Sequence, residues 1–171
     1  MSEHALLVSL INEMITLREM RVKGLYKLLK NKYENIPTYV FNEFYKGTGV
    51  EALTQSRTLL TFKKLNERKW TLEKLKLKPS DFNKRTLKSF NDRQFGKINA
   101  WNTPRDAERM EIQKTKVFGD GNNEPVILFR NSNGYELSEG WHRTMNLLLL
   151  GKNGEDVSEW NPVLIKAWVG T

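Results

Sequence analysis

The residues with the clearest chemical potential lie between Tyr135 and Thr144, in the run Tyr-Glu-Leu-Ser-Glu-Gly-Trp-His-Arg-Thr. The pattern predicts a strand over residues 135–137 and then a helix that begins at Trp141 and ends near Leu150. The first turn of a helix carries unpaired N–H donors and partial positive charge, so it attracts phosphate or carboxylate groups. The sequence therefore predicts an anion site where this strand passes into this helix.

Four residues of the run are candidates for that site. Gly140 lets the backbone approach an anion closely, and Arg143 can bind a phosphate through two parallel hydrogen bonds. His142 can donate to a phosphate or shuttle a proton near neutral pH. Glu139 is the carboxylate best placed to orient a phosphoryl acceptor. Each also has a structural alternative: a turn glycine, a surface ion pair, a packing histidine and a favourable charge at a helix start.

Composition narrows both the chemistry and the partners. The chain of 171 residues contains no cysteine, which excludes disulfides, thiolate chemistry and cysteine-based zinc sites. We expect no membrane segment and no secretory signal, hence an intracellular, cytoplasmic protein. Residues 1–98 hold 20 Lys and Arg against 10 Asp and Glu, whereas residues 99–171 hold 8 against 10. A basic half favours a polyanionic partner, usually nucleic acid, although the lysines could instead serve solubility.

Residues 57–93 concentrate this positive charge, with twelve Lys and Arg against four acidic residues. Aromatic side chains are interleaved with them, namely Phe62, Trp70, Phe82 and Phe90. Exposed rings could stack on bases, but in a short helical domain such rings are more often core. The candidates for binding nucleic acid are Lys63, Lys64, Arg68, Lys69, Lys84 and Arg85.

The coarse pattern predicts an α+β protein in two parts: a basic helical region over residues 1–95 and a small mixed sheet with helices over residues 96–171. Predicted helices span residues 6–17, 22–33, 39–45 and 50–68. Predicted strands span residues 125–129, 135–137 and 163–169. Asn133-Gly134 is a strong hairpin signal between the first two strands, and the helix that begins at Trp141 precedes the third.

This order, with Gly-x-His-Arg at the strand-to-helix junction, resembles the ParB/sulfiredoxin superfamily over about residues 96–171. The elements that carry the resemblance are Pro125-Val-Ile-Leu, Gly134-Tyr-Glu-Leu, Gly140-Trp-His-Arg-Thr and Pro162-Val-Leu-Ile-Lys-Ala. Upstream, Asn102-Thr-Pro-Arg105 is similar to the Asn-Pro-Arg element of ParB proteins, with one residue inserted. Residues 1–95 resemble no family in this way.

The resemblance implies a nucleotide site that takes ATP or CTP. The residues that would face the phosphates are Gly140, His142, Arg143 and Thr144. Arg105 would supply a second cation, and Mg²⁺ would be the natural helper, with no protein ligand assigned to it. Sulfiredoxin chemistry is excluded because Trp141 stands where the catalytic cysteine of that enzyme would lie. No helix-turn-helix or dimer domain of the partition ParB type follows Thr171, so we do not expect a segregation clamp.

Three hypotheses about function follow. The first is a nucleotide-binding protein, phage or mobile-element encoded, that hydrolyses or transfers a terminal phosphoryl group and associates with nucleic acid. Its catalytic residues would be His142, Arg143 and Glu139, and its phosphate-binding residues Gly140, Thr144 and Arg105. The second is a metal-dependent nuclease on the same ParB-like scaffold. The third is a non-catalytic DNA-binding module.

Overall fold

The computed structural model describes residues 3–16, 22–46, 48, 52, 55–94, 108, 111–112 and 124–171. The chain divides into two compact units, Met1–Trp70 and Thr71–Thr171. The class is α+β, as predicted, because helices form the described part of the first unit and a four-stranded sheet with helices forms the second. No helix within the described ranges is long and apolar enough to cross a membrane.

The first unit is built from helices that bury one apolar side each. Its described helices are α1 (Glu3–Thr16), α2 (Val22–Lys32), α3 (Thr38–Lys46) and α4 (Ser56–Asn66). Tyr33 and Phe62 stack at a centroid distance of 5.8 Å, and Phe41 packs on Phe62 at 5.2 Å. Since Phe62 is 1% exposed, its ring belongs to the core and is not available to a nucleic-acid base.

The second unit contains a mixed sheet. Its strands are β1 (Trp70–Leu77), β2 (Val126–Asn131), β3 (Gly134–Glu139) and β4 (Val163–Gly170), in the order β1-β4-β2-β3. β2 and β3 form the predicted antiparallel hairpin, with Asn131 opposite Gly134. β2 lies parallel to β4, with Val126 opposite Ala167. Parallel neighbours need a crossover connection, and the chain between them contains β3 and the helix α6 (Trp141–Leu149).

Two helices, α5 (Lys84–Gln94) and α6, contribute to the core of the second unit. Phe90 from α5, and Met145 and Leu148 from α6, join alternate residues of the strands in one buried cluster. The strand members of that cluster are Leu77, Val126, Leu128, Leu137, Ile165, Ala167 and Val169. Phe82 and Phe90 are 4% and 1% exposed, so these two rings of the basic region are also core.

The structure differs from the sequence prediction at residues 70–94. The sequence predicts that they belong to the basic helical region, whereas β1 joins the sheet and α5 packs on its core, and residues 71–94 belong to the second compact unit. In β1, Leu75 and Leu77 face the core while Lys74 and Lys76 are exposed, which is the period-two pattern of a strand. The boundary between the compact units along the chain therefore follows Trp70, whereas the change in composition lies near residue 96.

Candidate functional site

The strand-to-helix junction forms where the sequence predicts it. Gly140 is the N-cap residue of α6 and has φ 93° and ψ 29°, a left-handed conformation that glycine adopts without steric cost. No side chain caps this helix start. The N–H of Thr144 donates to the carbonyl of Gly140 at 2.8 Å and so makes the first helical hydrogen bond. The first turn of such a helix carries partial positive charge.

The guanidinium of Arg143 binds the segment that leads into β2. Its Nη1 donates to the backbone oxygens of Glu124 (3.0 Å) and Pro125 (2.7 Å), and its Nη2 donates to Oε2 of Glu124 (2.9 Å). Arg143 is only 8% exposed. These contacts hold the start of β2 against α6, and they use donors that a phosphate would otherwise engage. The phosphate contact of Arg143 stays a prediction.

The other predicted residues of this junction have different surroundings. His142 is partly exposed, and its Nε2 atom is buried. Thr144 is fully buried, and its hydroxyl donates to the carbonyl of Gly140 at 3.0 Å. Glu139 ends β3 opposite Ile127 and is partly exposed. The structure thus gathers these residues at one junction, but it directs the arginine and the threonine towards the protein.

A cavity of about 310 Å³ lies beside this junction, among α5, β3 and the start of α6. Its polar lining comes from Arg85, Thr86, Ser89, Glu136 and Ser138, and Trp141 adds an aromatic wall. The volume is at the lower end of the range for small-molecule sites, about 300–1,000 Å³. Since Trp141 is the first residue of α6, the cavity meets the helix at its positive end.

The cavity exists because the beginning of α5 is hydrogen-bonded to the outer edge of β3. The N–H of Asn83 donates to the carbonyl of Tyr135 at 2.8 Å, and the N–H of Leu137 donates to the hydroxyl of Thr86 at 3.2 Å. The side chain of Asn83 also accepts a hydrogen bond from the N–H of Thr86 at 2.9 Å. These hydrogen bonds satisfy backbone groups at the edge of β3 that would otherwise be open to pairing with another strand. They also place one side of α5 opposite the polar side chains of β3.

The two charged side chains that line the cavity, Arg85 and Glu136, form a weak ion pair. Nη1 of Arg85 lies 3.7 Å from Oε1 of Glu136, and the two side chains are 87% and 33% exposed. An exposed pair of this length contributes little to stability, so a phosphate can replace the carboxylate at little cost. The Trp141 ring meets Phe90 at a centroid distance of 5.6 Å. The cavity thus combines one cation, one carboxylate, hydroxyl groups and an aromatic surface.

The remaining predicted residues lie in both units or outside the described ranges. Lys63 and Lys64 occupy the last turn of α4, and Arg68 and Lys69 follow that helix. Lys84 and Arg85 begin α5. All six are exposed except Arg68, which is partly exposed. Arg105 lies outside the described residues.

Among the described residues, no group of three or more His, Cys, Asp or Glu side chains could hold a metal ion. Mg²⁺ is often held by substrate phosphates and one or two carboxylates, so the binding of Mg²⁺ stays a prediction. Sequence reasoning missed the roles of Thr86, Ser89 and Ser138 in a cavity. Ser138 lies inside the run of residues 135–144. Thr86 and Ser89 belong to no recognisable motif, because only tertiary packing brings α5 to β3.

No protein-family model matches the chain, and searches of the curated proteins and of the solved structures found no match either. The resemblance to the ParB/sulfiredoxin superfamily therefore rests on the quoted motifs alone.

Proposed function

We propose that the second unit binds a nucleotide in the cavity beside α6 and hydrolyses or transfers its terminal phosphoryl group. The observation that carries this proposal is the cavity of about 310 Å³, in which Arg85, two serine hydroxyls and the Trp141 ring meet the start of α6. Guanidinium and hydroxyl donors suit phosphate oxygens, the ring offers a face to a base, and the helix start adds positive potential.

The quoted motifs support the same ligand class, so we propose a ParB/sulfiredoxin-like nucleotide-binding domain that takes ATP or CTP with Mg²⁺. Gly140 shapes the strand-to-helix junction and Arg143 holds it together. The phosphates approach the backbone of this junction. His142 and Glu139 are the candidates for proton transfer, since imidazole and carboxylate side chains are the usual general acids and bases of enzymes. In this proposal the protein is an intracellular enzyme that binds nucleic acid through its basic residues.

Replacing Arg85 with alanine is expected to weaken nucleotide binding about tenfold or more, because a hydrogen bond to a charged group contributes roughly 1.5–3 kcal/mol. Titration of a fluorescent ATP or CTP analogue with Mg²⁺ measures this loss. Lys88→Ala is the matched control, since Lys88 is exposed on the same helix and binds Asp92 at 2.6 Å, outside the cavity lining. Equal affinities for the two variants, or no nucleotide binding by the native chain, would refute the proposal.

Product analysis separates the three hypotheses. The native chain is incubated with ATP, CTP, GTP and ADP, with and without Mg²⁺ and DNA, and both phosphate release and strand scission are followed. Nucleotide turnover that His142→Ala abolishes, while binding persists, supports phosphoryl chemistry. DNA cleavage without added nucleotide identifies a nuclease. Binding with neither product identifies a non-catalytic module.

We also propose that the basic end of α4 contacts nucleic-acid phosphates. Residues 63–69 hold four cations and one acid, and Lys63 and Lys64 are exposed. Lys63→Gln/Lys64→Gln is expected to reduce the slope of log affinity against log salt by about 1.4–1.8, since each neutralised phosphate contributes roughly 0.7–0.9. Lys27→Gln/Lys32→Gln, two exposed lysines of α2, is the control in fluorescence anisotropy. Unchanged slopes in the first variant would contradict phosphate contact there.

A further inference from the structure

We infer that one face of the sheet, formed by β1 and β4, binds single-stranded nucleic acid. We call it the lysine face, and its residues are Leu72, Lys74, Lys76, Leu164, Lys166 and Trp168. This inference is independent of the nucleotide cavity, which lies at α5, β3 and α6. β1 and β4 are neighbours in the sheet, with β1 at its edge.

Side-chain alternation defines the lysine face. In β4, Ile165, Ala167 and Val169 belong to the buried core, and in β1 the residues Leu75 and Leu77 pack with it. Because successive side chains of a strand point to opposite faces, the residues between them lie on the other side of the sheet. The burial pattern agrees, since the intervening positions of both strands are exposed or partly exposed.

The lysine face exposes apolar area that the core does not use. Leu72 is 50% exposed and Leu164 is 61% exposed, and Trp168 is partly exposed. A single exposed leucine is ordinary, but two leucines and a tryptophan on the same face of adjacent strands supply apolar area that suits a ligand with flat, apolar surfaces. Nucleobases have such surfaces, and base stacking on an aromatic side chain contributes about 1–3 kcal/mol.

The charge of the lysine face complements phosphate. Lys74 and Lys76 are exposed and Lys166 is partly exposed, and none of the three forms an ion pair with another described residue. No acidic residue belongs to the face. The acid that β3 places on the same side of the sheet, Glu136, lies 3.7 Å from Arg85 and accepts a hydrogen bond from Asn131 at 3.3 Å. The three lysines are therefore available for phosphates.

The combination favours a single strand over a duplex. A duplex hides the faces of its bases and offers mainly phosphates and groove edges to a flat surface, so the exposed leucines and Trp168 would gain nothing from it. A single strand presents phosphates and unstacked bases together, which matches a face that carries both lysines and apolar side chains.

The test uses the full chain and fluorescein-labelled 12-nucleotide probes, oligo(dT) and oligo(rU), in fluorescence anisotropy over a range of salt. Lys74→Gln/Lys76→Gln/Lys166→Gln is expected to reduce the slope of log affinity against log salt by about 2, because each phosphate contact on a single strand contributes roughly 0.7. Trp168→Leu keeps apolar bulk and is expected to weaken binding at least about fivefold, with an unchanged slope. Circular dichroism of both variants checks that the fold is intact.

The control removes the same charge from the same unit. Lys78→Gln/Lys88→Gln/Lys152→Gln changes three exposed lysines that lie outside the lysine face and is expected to alter the slope by less than half as much. Equal effects of the two triple variants would overturn the inference. Tighter binding of a 12-base-pair duplex than of either single strand would also overturn the inference. Displacement of the probe by polyglutamate at equal charge would do the same. If Lys63→Gln/Lys64→Gln abolished binding and the lysine-face triple variant bound as tightly as the native chain, the contact would be assigned to α4 instead.

Discussion

Arg143→Ala is expected to lower the free energy of unfolding by about 3 kcal/mol. The side chain is 8% exposed, and its removal takes away guanidinium donors that the carbonyls of Glu124 and Pro125 now accept from. Hydrogen bonds from a buried charged donor contribute more to stability than the exposed salt bridge to the Glu124 carboxylate. Urea denaturation followed by far-ultraviolet circular dichroism measures the loss.

Arg130→Ala is the control for this prediction. Arg130 also makes two side-chain contacts, to Glu73 and to Tyr135, each at 2.9 Å, but its side chain is 44% exposed. We expect a loss below about 1 kcal/mol, as for other exposed pairs. Similar losses for the two variants would mean that burial of the Arg143 guanidinium does not decide its contribution.

The same variant separates structural and ligand roles for Arg143. If the guanidinium mainly clamps phosphate, Arg143→Ala would keep its stability and lose nucleotide affinity. If it mainly holds β2 against α6, the loss of stability comes first, and nucleotide affinity measured far below the unfolding transition changes little. Glu124→Gln is informative beside it, because that change keeps both carbonyl contacts and removes only the charge of an exposed partner.

Gly140→Ala is expected to lower the free energy of unfolding by about 2–3 kcal/mol. Gly140 has φ 93°, and an added Cβ would lie 2.8 Å from Cγ1 and 3.0 Å from Cβ of Val126. Val126 is 1% exposed and pairs with Ala167 in the centre of the sheet, so it cannot move without disturbing the core. Thermal and urea unfolding of the variant measure the effect.

Gly154→Ala isolates the contribution of contact from that of backbone conformation. Gly154 also has a positive φ, 75°, but an added Cβ there would meet nothing within 4 Å. We expect this control to cost about 1 kcal/mol, the penalty of a left-handed conformation alone. If the two variants are equally destabilised, crowding against Val126 contributes nothing. The double variant Gly140→Ala/Val126→Ala, compared with both single variants, measures the coupling free energy between these two positions.

These two predictions change how activity data on the Gly-x-His-Arg motif are to be interpreted. Gly140 and Arg143 both maintain the junction between β2 and α6, so a loss of turnover in their variants reports structure and chemistry together. Arg85 is 87% exposed at its side chain and lines the cavity. Arg85→Ala, compared with Lys88→Ala, therefore tests nucleotide binding with the least structural disturbance.

Local sequence signals are sufficient to predict the elements around the candidate site. A short apolar run at residues 125–129 and an Asn-Gly turn predict the hairpin of β2 and β3, and a glycine followed by an apolar helical pattern places the start of α6 at Trp141. The α+β class follows from the same periodicities. Composition does not reveal the strand β1, because its alternating leucines and lysines lie within a longer basic stretch, and the change in composition falls near residue 96 rather than at the packing boundary after Trp70.

Which side chains line the cavity, and which are buried at the junction, depends on contacts between elements that are distant in the chain. Arg143 follows His142 directly in the chain, and no local pattern reveals that its guanidinium reaches the carbonyls of residues 124–125. Likewise, Arg85 and Ser89 meet Ser138 only because the beginning of α5 is hydrogen-bonded to the edge of β3. Periodicity specifies which side of each element is buried. Contacts between elements that are distant in the chain depend on packing instead, and the free energy of packing is shared by the whole core.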